Sequence, residues 1–414
     1  MKDSDFTSSV FSTETLAQIV STRQFRGASS ADDSRIFQRG LVYLIACGHF
    51  VNDVYTGFLS PLLPLLMERM QFPLSRAGML ASVLSASSSL SQPIFGALND
   101  RFNRRFFVFL APLISGVFIC SLGYIPVYWM LIPILLLCGL GSAIFHPSAA
   151  AMVGRVSGNR KEWGMSLFVT SGNFGHSLAP LLVVPVVTYF GLRKLPLLIF
   201  PAILMAFMLF RRLPEPETLL VQPKFFLSGR QRHSPRLPLF LHFAISVLRS
   251  LVISGFGTFI PIYMHAHGYS LFSAGATITV FQAIGAIGAL LSGHFAARFD
   301  RRRIIMFSLL AAVPLLVSFV YFPGTLTLLA LALSGILLYF SFPLNVVMAQ
   351  ELYPHRASMV SALMIGVSWG SAGLMMTPLG FIAEKAGLQN ALLALALIGV
   401  LAGLIASFLP KKAI

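Results

Sequence analysis

Asp53 is an acid in a place where acids are expensive. The sequence holds 14 Asp and Glu residues, and Asp53 is the one deep inside a long apolar run; Glu351 and Glu384 lie near the ends of two others. His49, Asn52, Asp53, Thr56 and Ser60 recur at i, i+3, i+4, i+7 and i+11, which puts them on a single stripe of a helix. About 200 residues on, another apolar run carries Ser246, Arg249 and Ser250 on one face, and Arg249 is the one basic residue inside any such run. A carboxylate can take up and release a proton, because desolvation raises its pKa and a nearby guanidinium lowers it. Arginine stays charged and can grip an anion with two donors. Asp53 is therefore the candidate proton carrier, with His49 as a relay. Arg249, Asn52, Thr56, Ser246 and Ser250 are candidate substrate contacts. A static pair of Asp53 with Arg249 is the structural alternative. His146 and His176 carry less specific signals.

The elements that must hold these groups are membrane helices. The 414 residues are 56% hydrophobic and 11% charged, with a mean hydropathy of +0.80, far from a soluble protein's balance. Cys47, Cys120 and Cys138 sit in apolar runs without disulfide or metal spacing, so no metal centre is expected. Residues 1–40 are polar, with acids and bases in equal number, unlike a signal or transit peptide, and read as a cytoplasmic arm. Runs of roughly 20 apolar residues, enough to cross about 30 Å of hydrocarbon, fall at 41–67, 74–98, 106–123, 127–153, 164–190 and 195–212. A second set follows at 238–264, 271–296, 304–322, 325–349, 357–383 and 388–410. The fold class expected is all-α, twelve spans in two six-helix bundles (41–212 and 238–410), with a cytoplasmic linker at 213–237 and a short tail at 411–414.

Charge placement sets the orientation. With both termini inside, only Arg69, Arg76, Arg193, Lys194 and Lys385 of the 30 Lys and Arg fall on the outer side. That asymmetry is the positive-inside pattern, so the net charge of +16 reflects topology rather than affinity for nucleic acid. Asp53 lies twelve residues into its span, about 18 Å deep at 1.5 Å per residue, near the bilayer midplane. An uncompensated Asp there costs about 3 kcal/mol, so it must face protein or water.

The two halves echo each other. The loop after span 2 reads "GALNDRFNRR" (96–105) and the loop after span 8 reads "GHFAARFDRR" (293–302). Span 5 holds "GNFGHSLAP" (172–180) and span 11 holds "GSAGLMMTP" (370–378), with Gly, Gly and Pro at matching positions. A repeat of about 200 residues is a duplicated bundle of the kind many transporters use. Asp100 beside Arg101, Arg104 and Arg105, with Arg298, Arg301 and Arg302 in the second copy, could latch helix ends through charge pairs made in one state and broken in another. Ala297 replaces the acid in that second copy, which makes the latch lopsided. Gly172, Gly175, Pro180, Gly370, Gly373 and Pro378 allow close approach and bending. Glu351 beside Arg356 reads as a loop ion pair with a possible gating role.

These motifs resemble the major facilitator superfamily, through Gly96, Asp100, Arg101, Arg104 and Arg105 after span 2 and the degenerate copy after span 8. Within it the chain is similar to the fosmidomycin resistance protein group, through "HFVND" (49–53), "FHP" (145–147), "GNFG" (172–175) and "AQELYPHRASMVSAL" (349–363). Gly175 through Pro180 also resembles the span-5 signature of drug/proton antiporters, with Ala179 in place of a glycine. The resemblance implies that spans 1 and 7 line a central cavity. It implies a secondary transporter of the bacterial inner membrane, working by alternating access and functional as a monomer. Its partners would be a small-molecule substrate, protons and the bilayer. Efflux of small anionic or amphiphilic compounds by proton antiport leads; proton-coupled uptake of an organic anion is the alternative. A membrane enzyme is disfavoured, since neither HExxH, GxSxG nor a Walker loop occurs. The energy source expected is the proton gradient, with no cofactor.

Overall fold

The computed structural model describes residues 37–102, 105–158, 160–214, 236–296, 298–322, 325–353, 359–360 and 362–410. The amino-terminal arm, most of the linker and the carboxyl tail lie outside them, as do Arg104 and Arg356 and the side chains of Asp100 and Arg101. The regular structure of the described residues is all helical, without a strand. Backbone groups in hydrocarbon have no water to bond, and helices satisfy them internally.

Among the described residues, ten helical stretches are long and apolar enough to cross a membrane. The remaining two expected spans are each split in two. Span 1 comprises α1 (Arg39–Thr56) and α2 (Leu59–Met70), and span 2 comprises α3 (Leu74–Ser89) and α4 (Gln92–Phe102). Proline explains both breaks: Pro61 and Pro93 have no N–H for the carbonyls of Gly57 and Ser89 four residues back. Gly57, Phe58 and Leu90 nevertheless keep right-handed helical φ values, of −77°, −69° and −74°. The chain then continues through α5 (Phe106–Cys120), α6 (Tyr128–Val156), α7 (Lys161–Phe190) and, after a 3-10 stretch at Leu192–Ile199, α8 (Phe200–Arg212). The second half holds α9 (Arg236–Ala266), α10 (Leu271–Ala296), α11 (Arg301–Tyr321) and α12 (Thr325–Leu352). Span 11 is composite: a π-helical turn at Ala362–Val367, then α13 (Ser368–Leu374) and α14 (Met376–Ala386). Span 12 is α15 (Leu388–Ala406).

The halves meet along two seams, α3 against span 11 and α7 against α10. Small residues make both possible. A Cβ on Gly78 of α3 would strike the Met376 carbonyl, and one on Gly275 of α10 would lie 3.1 Å from the Pro180 ring of α7. Pro378 sharpens the first seam, because its missing N–H frees the Leu374 carbonyl. Ser82 of α3 fills that gap: its hydroxyl lies 2.8 Å from the Gly373 carbonyl and 3.2 Å from that of Leu374, and accepts the Thr377 N–H at 3.0 Å. The seams close the end of the molecule opposite Arg39, where Ser75 N–H also donates to Glu384 at 3.3 Å and Glu68 meets His265 at 2.7 Å.

Large apolar side chains such as Phe200, Phe207, Leu397 and Leu404 are exposed around the perimeter, as a lipid-facing surface requires. Tyr124, Trp129 and Tyr189 project at one end and Tyr43 and Trp163 at the other, the amphipathic rings of interfacial belts.

Candidate functional site

A cavity of about 320 Å³ lies between the halves, and Asp53 is the one Asp or Glu among its described lining residues. α1 presents both the carboxylate and His49, α6 brings His146, and α7 supplies the Phe168 carbonyl behind His49. His49 Nε2 stands 3.2 Å from Asp53 Oδ2, and His146 Nε2 stands 3.5 Å from Oδ1. Each ring is fixed from behind. His49 Nδ1 is 2.7 Å from the Phe168 carbonyl, and His146 Nδ1 is 2.7 Å from the Ser142 carbonyl. A carbonyl only accepts, so both Nδ1 atoms carry hydrogen and both Nε2 atoms face the carboxylate. His49 also stacks on Phe168, ring centroids 4.0 Å apart.

Asn52 braces the cluster from inside the bundle. It donates to Asp53 Oδ1 at 3.0 Å and to Ser142 at 3.3 Å, and accepts from Ser115 at 3.3 Å. Thr56 donates to the Asp53 backbone carbonyl at 3.0 Å and lies 3.5 Å from His176 Nδ1. Gly172 makes room for all of this: a Cβ there would strike His49 Nε2 and sit 2.7 Å from Asp53 Oδ2. Gly175 lets α7 close on the Phe50 carbonyl of α1.

The polar stripe of span 1 therefore divides. Asp53, Thr56 and Ser60 reach the cavity, whereas His49 and Asn52 are buried between helices. Asp53 and Arg249 do not pair; the acid has His49 and His146 instead. Arg249 is fully buried behind the cavity wall, donating to Ser250 Oγ at 3.2 Å, with Nε and Nη1 unpartnered. Its guanidinium lies 4.4 Å from the Phe342 ring centroid and 5.7 Å from that of Trp369. Ser246 is held from α12 by Asn345, which donates to it at 2.9 Å and meets His242 Nδ1 at 2.6 Å.

At the Arg39 end, Glu351 takes Arg301 in a two-pronged grip at 2.7 and 2.9 Å, while Arg356, its expected partner, lies outside the described residues. Arg105 donates to the Leu213 carbonyl at 3.0 Å, and Arg302 to the carbonyl of Ser407. Asp300 caps α11 by accepting from the N–H groups of Arg302 and Arg303. Arg298 is exposed, and a Cβ on Gly96 would lie an ordinary 3.6 Å from the Pro147 ring of α6.

The family model of the Major Facilitator Superfamily matches residues 45–375. The chain belongs to this superfamily. Among curated relatives it is similar to YfnC, an uncharacterised MFS-type transporter of Bacillus subtilis, 28% identical over 90% of this chain and 93% of that protein. It is 25% identical to the fosmidomycin resistance protein of Escherichia coli over 93% of this chain and 96% of that one. The multidrug resistance protein MdtG of Serratia proteamaculans is 24% identical over 70% and 75%. Two solved structures share the fold. An inward-facing, unoccupied bacterial homologue of the human lysosomal transporter Spinster superposes with a TM-score of 0.75 at 15% identity, covering 90% of this chain and 97% of that one. A D-xylose–proton symporter gives 0.71 at 16% identity, covering 92% and 100%. As a member of this superfamily, the chain is a multi-pass membrane transporter for a small-molecule substrate.

His146 was the group hardest to rank from sequence. The signal lay in the duplication: "FHP" at 145–147 answers to "SFP" at 341–343, so the residue pointing at Asp53 in one half corresponds to the one covering Arg249 in the other.

Proposed function

We propose that this transporter is a proton-coupled exporter of the inner membrane, moving small anionic or amphiphilic compounds of the fosmidomycin kind by alternating access. The carrying observation is the arrangement at Asp53, where two histidine Nε2 atoms meet the two carboxylate oxygens. With every group deprotonated, two lone pairs would oppose a carboxylate at 3.2 and 3.5 Å. That repulsion in a desolvated site is relieved by one proton shared among the three. The cluster is thus built to hold a proton, and Asp53 and His146 give it a face on the cavity. A change of access that rehydrates or rearranges this face alters where the proton is most stable, which is how a gradient is coupled to conformation.

The rest of the cavity suits an amphiphile. Ser85, Ser88, Ser89, Asn173 and Gln282 offer hydrogen bonds, and Trp369, Tyr339, Ile253 and Met376 offer apolar area. Export is supported by relatives whose names record resistance to fosmidomycin and to multiple drugs.

The decisive experiment uses purified protein in proteoliposomes with a pH-sensitive dye inside. Substrate addition is expected to move protons with the native protein and not with Asp53→Asn. Equal proton movement by both would end the coupling assignment. Labelled fosmidomycin is expected to be depleted from expressing cells; accumulation would mark an uptake symporter instead.

A further inference from the structure

We infer that Arg249 is a latent anion site shuttered by Trp369, and that the anionic end of a substrate reaches it when span 11 moves. This rests on the transport reading above and names the substrate group its second half recognises, an oxyanion such as a phosphonate, phosphate or carboxylate.

The first support is the unmet demand of the guanidinium. Arg249 is completely buried, one hydroxyl accepts from it, and Nε and Nη1 have no partner. A buried charge without a counterion is among the least favourable arrangements in a protein interior. The acids near the halves' functional surfaces are already engaged: Asp53 with His49 and His146, Glu351 with Arg301, Asp300 at a helix cap, Glu68 with His265 and Glu384 with Ser75. Among the described residues, none of these is placed to become its partner. Nη2 keeps a second hydrogen on an edge that it shares with either Nε or Nη1, both free, so one edge of the planar fork can present two donors to two oxygens of one oxyanion, a grip that a point charge would not provide.

The second support is the cover. Trp369 both lines the cavity and lies over Arg249, so it separates the guanidinium from the space a substrate would occupy. It lies two residues past the π-helical turn Ala362–Val367, a local widening of the helix of the kind that gathers at functional positions. Its backbone is tied to the opposite half. The Trp369 carbonyl is 3.5 Å from the Ser85 hydroxyl, and Gly370 and Gly373 pack against Leu90 and Ser85 of span 2. Rocking of the halves therefore carries Trp369 with it, coupling exposure of Arg249 to the access change. Stacking on Phe342 and Trp369 supports the charge while the shutter is closed.

The test reads the shutter directly. Of the three tryptophans, Trp129 and Trp163 are exposed on the perimeter, so the double variant Trp129→Phe/Trp163→Phe leaves Trp369 as the single reporter. The detergent-solubilised full chain is titrated with fosmidomycin, methylphosphonate, inorganic phosphate and benzoate at equilibrium, with no gradient present. A saturable change in Trp369 emission with at least one of them is expected, weakened about tenfold or more in Arg249→Lys, which keeps the charge but loses the fork. Silence of Trp369 toward all four probes up to about 10 mM would overturn the inference. So would an affinity unchanged in both Arg249→Lys and Arg249→Gln. Loss of proton coupling in Asp53→Asn with anion binding intact keeps this inference apart from the coupling assignment.

Discussion

The two halves place opposite chemistry at equivalent points of one scaffold. In the first, Asp53 of span 1 meets His146 of span 4 at the cavity edge, 16% and 27% exposed at the side chain. In the second, Arg249 of span 7 meets Phe342 of span 10 and is sealed from solvent. The seams between halves stayed alike, with Gly78 against span 11 and Gly275 against span 5. Duplication thus preserved the glycines and prolines that let bundles pack and bend, while the midplane groups diverged. The difference is one of environment: the acid is part-exposed with two histidine partners, and the base is dry, with no counter-charge among the described residues.

The strongest way to break that contrast is to remove the acid. Asp53→Asn keeps the shape but gives the cluster nothing to bind a proton against, and substrate-driven proton flux in proteoliposomes is expected to fall on the order of 100-fold. Uncoupled substrate exchange should survive, which separates lost coupling from lost folding. Next in size is His146→Phe, which installs in the first half the ring found at the matching place in the second. With Asp53 left to His49 and Asn52, transport is expected to drop about tenfold and to lose most of its dependence on pH, measured as initial rate between pH 6 and 8. His146→Gln should fall between this variant and the native chain, because it restores a polar group without a titrating nitrogen. A His146→Phe pH profile matching the native one would mean that Asp53 works without its neighbour on span 4.

Much of this architecture was legible in the sequence because lipid imposes a simple rule. Apolar run length, loop charge and the doubled Gly and Pro positions each reflect one local constraint, and the helices follow them. Asp53 was legible for the same reason, as a charge that hydrocarbon would not tolerate. The partners were not. His146 is far from Asp53 in the chain, and its approach depends on how α1 and α6 rotate about their axes, which hydropathy does not encode. The stripe from His49 to Ser60 predicted a shared face, but a face wide enough for five residues spans both cavity and packing, so His49 and Asn52 turned inward. Arg249 gave no hint of its sheath either, since Phe342 and Trp369 read as ordinary apolar residues of spans 10 and 11.

A smaller effect tests how tightly the acid's cradle is built. Gly172→Ala drives a methyl into His49 and Asp53, and overpacking of this kind costs about 1 to 3 kcal/mol. Lower thermal stability of the purified protein and a weaker transport rate are expected together. Gly154→Ala is the control, since nothing lies within 4 Å of a Cβ there and α6 should gain slightly from a better helix former. Equal melting temperatures for both variants would show that α7 can back away from Asp53 at little cost.

The smallest expected effect concerns the seam rather than either centre. Ser82→Ala leaves the Leu374 carbonyl and Thr377 N–H without the hydroxyl that fills the break before Pro378. Unpaired buried groups cost about 1 to 3 kcal/mol, and here the cost falls only on the state whose end opposite Arg39 is closed. The population should shift toward the opposite access state by about fivefold or more, read as faster thiol labelling of a cysteine introduced at Ser60. The matching change across the duplication is Gly275→Ala, which crowds Pro180 at 3.1 Å in the other seam. Rates that rise with Ser82→Ala and not with Gly275→Ala would assign closure of that end to the α3 seam, where a hydroxyl replaces a missing helix bond. Equal rises would mean that both seams open as one.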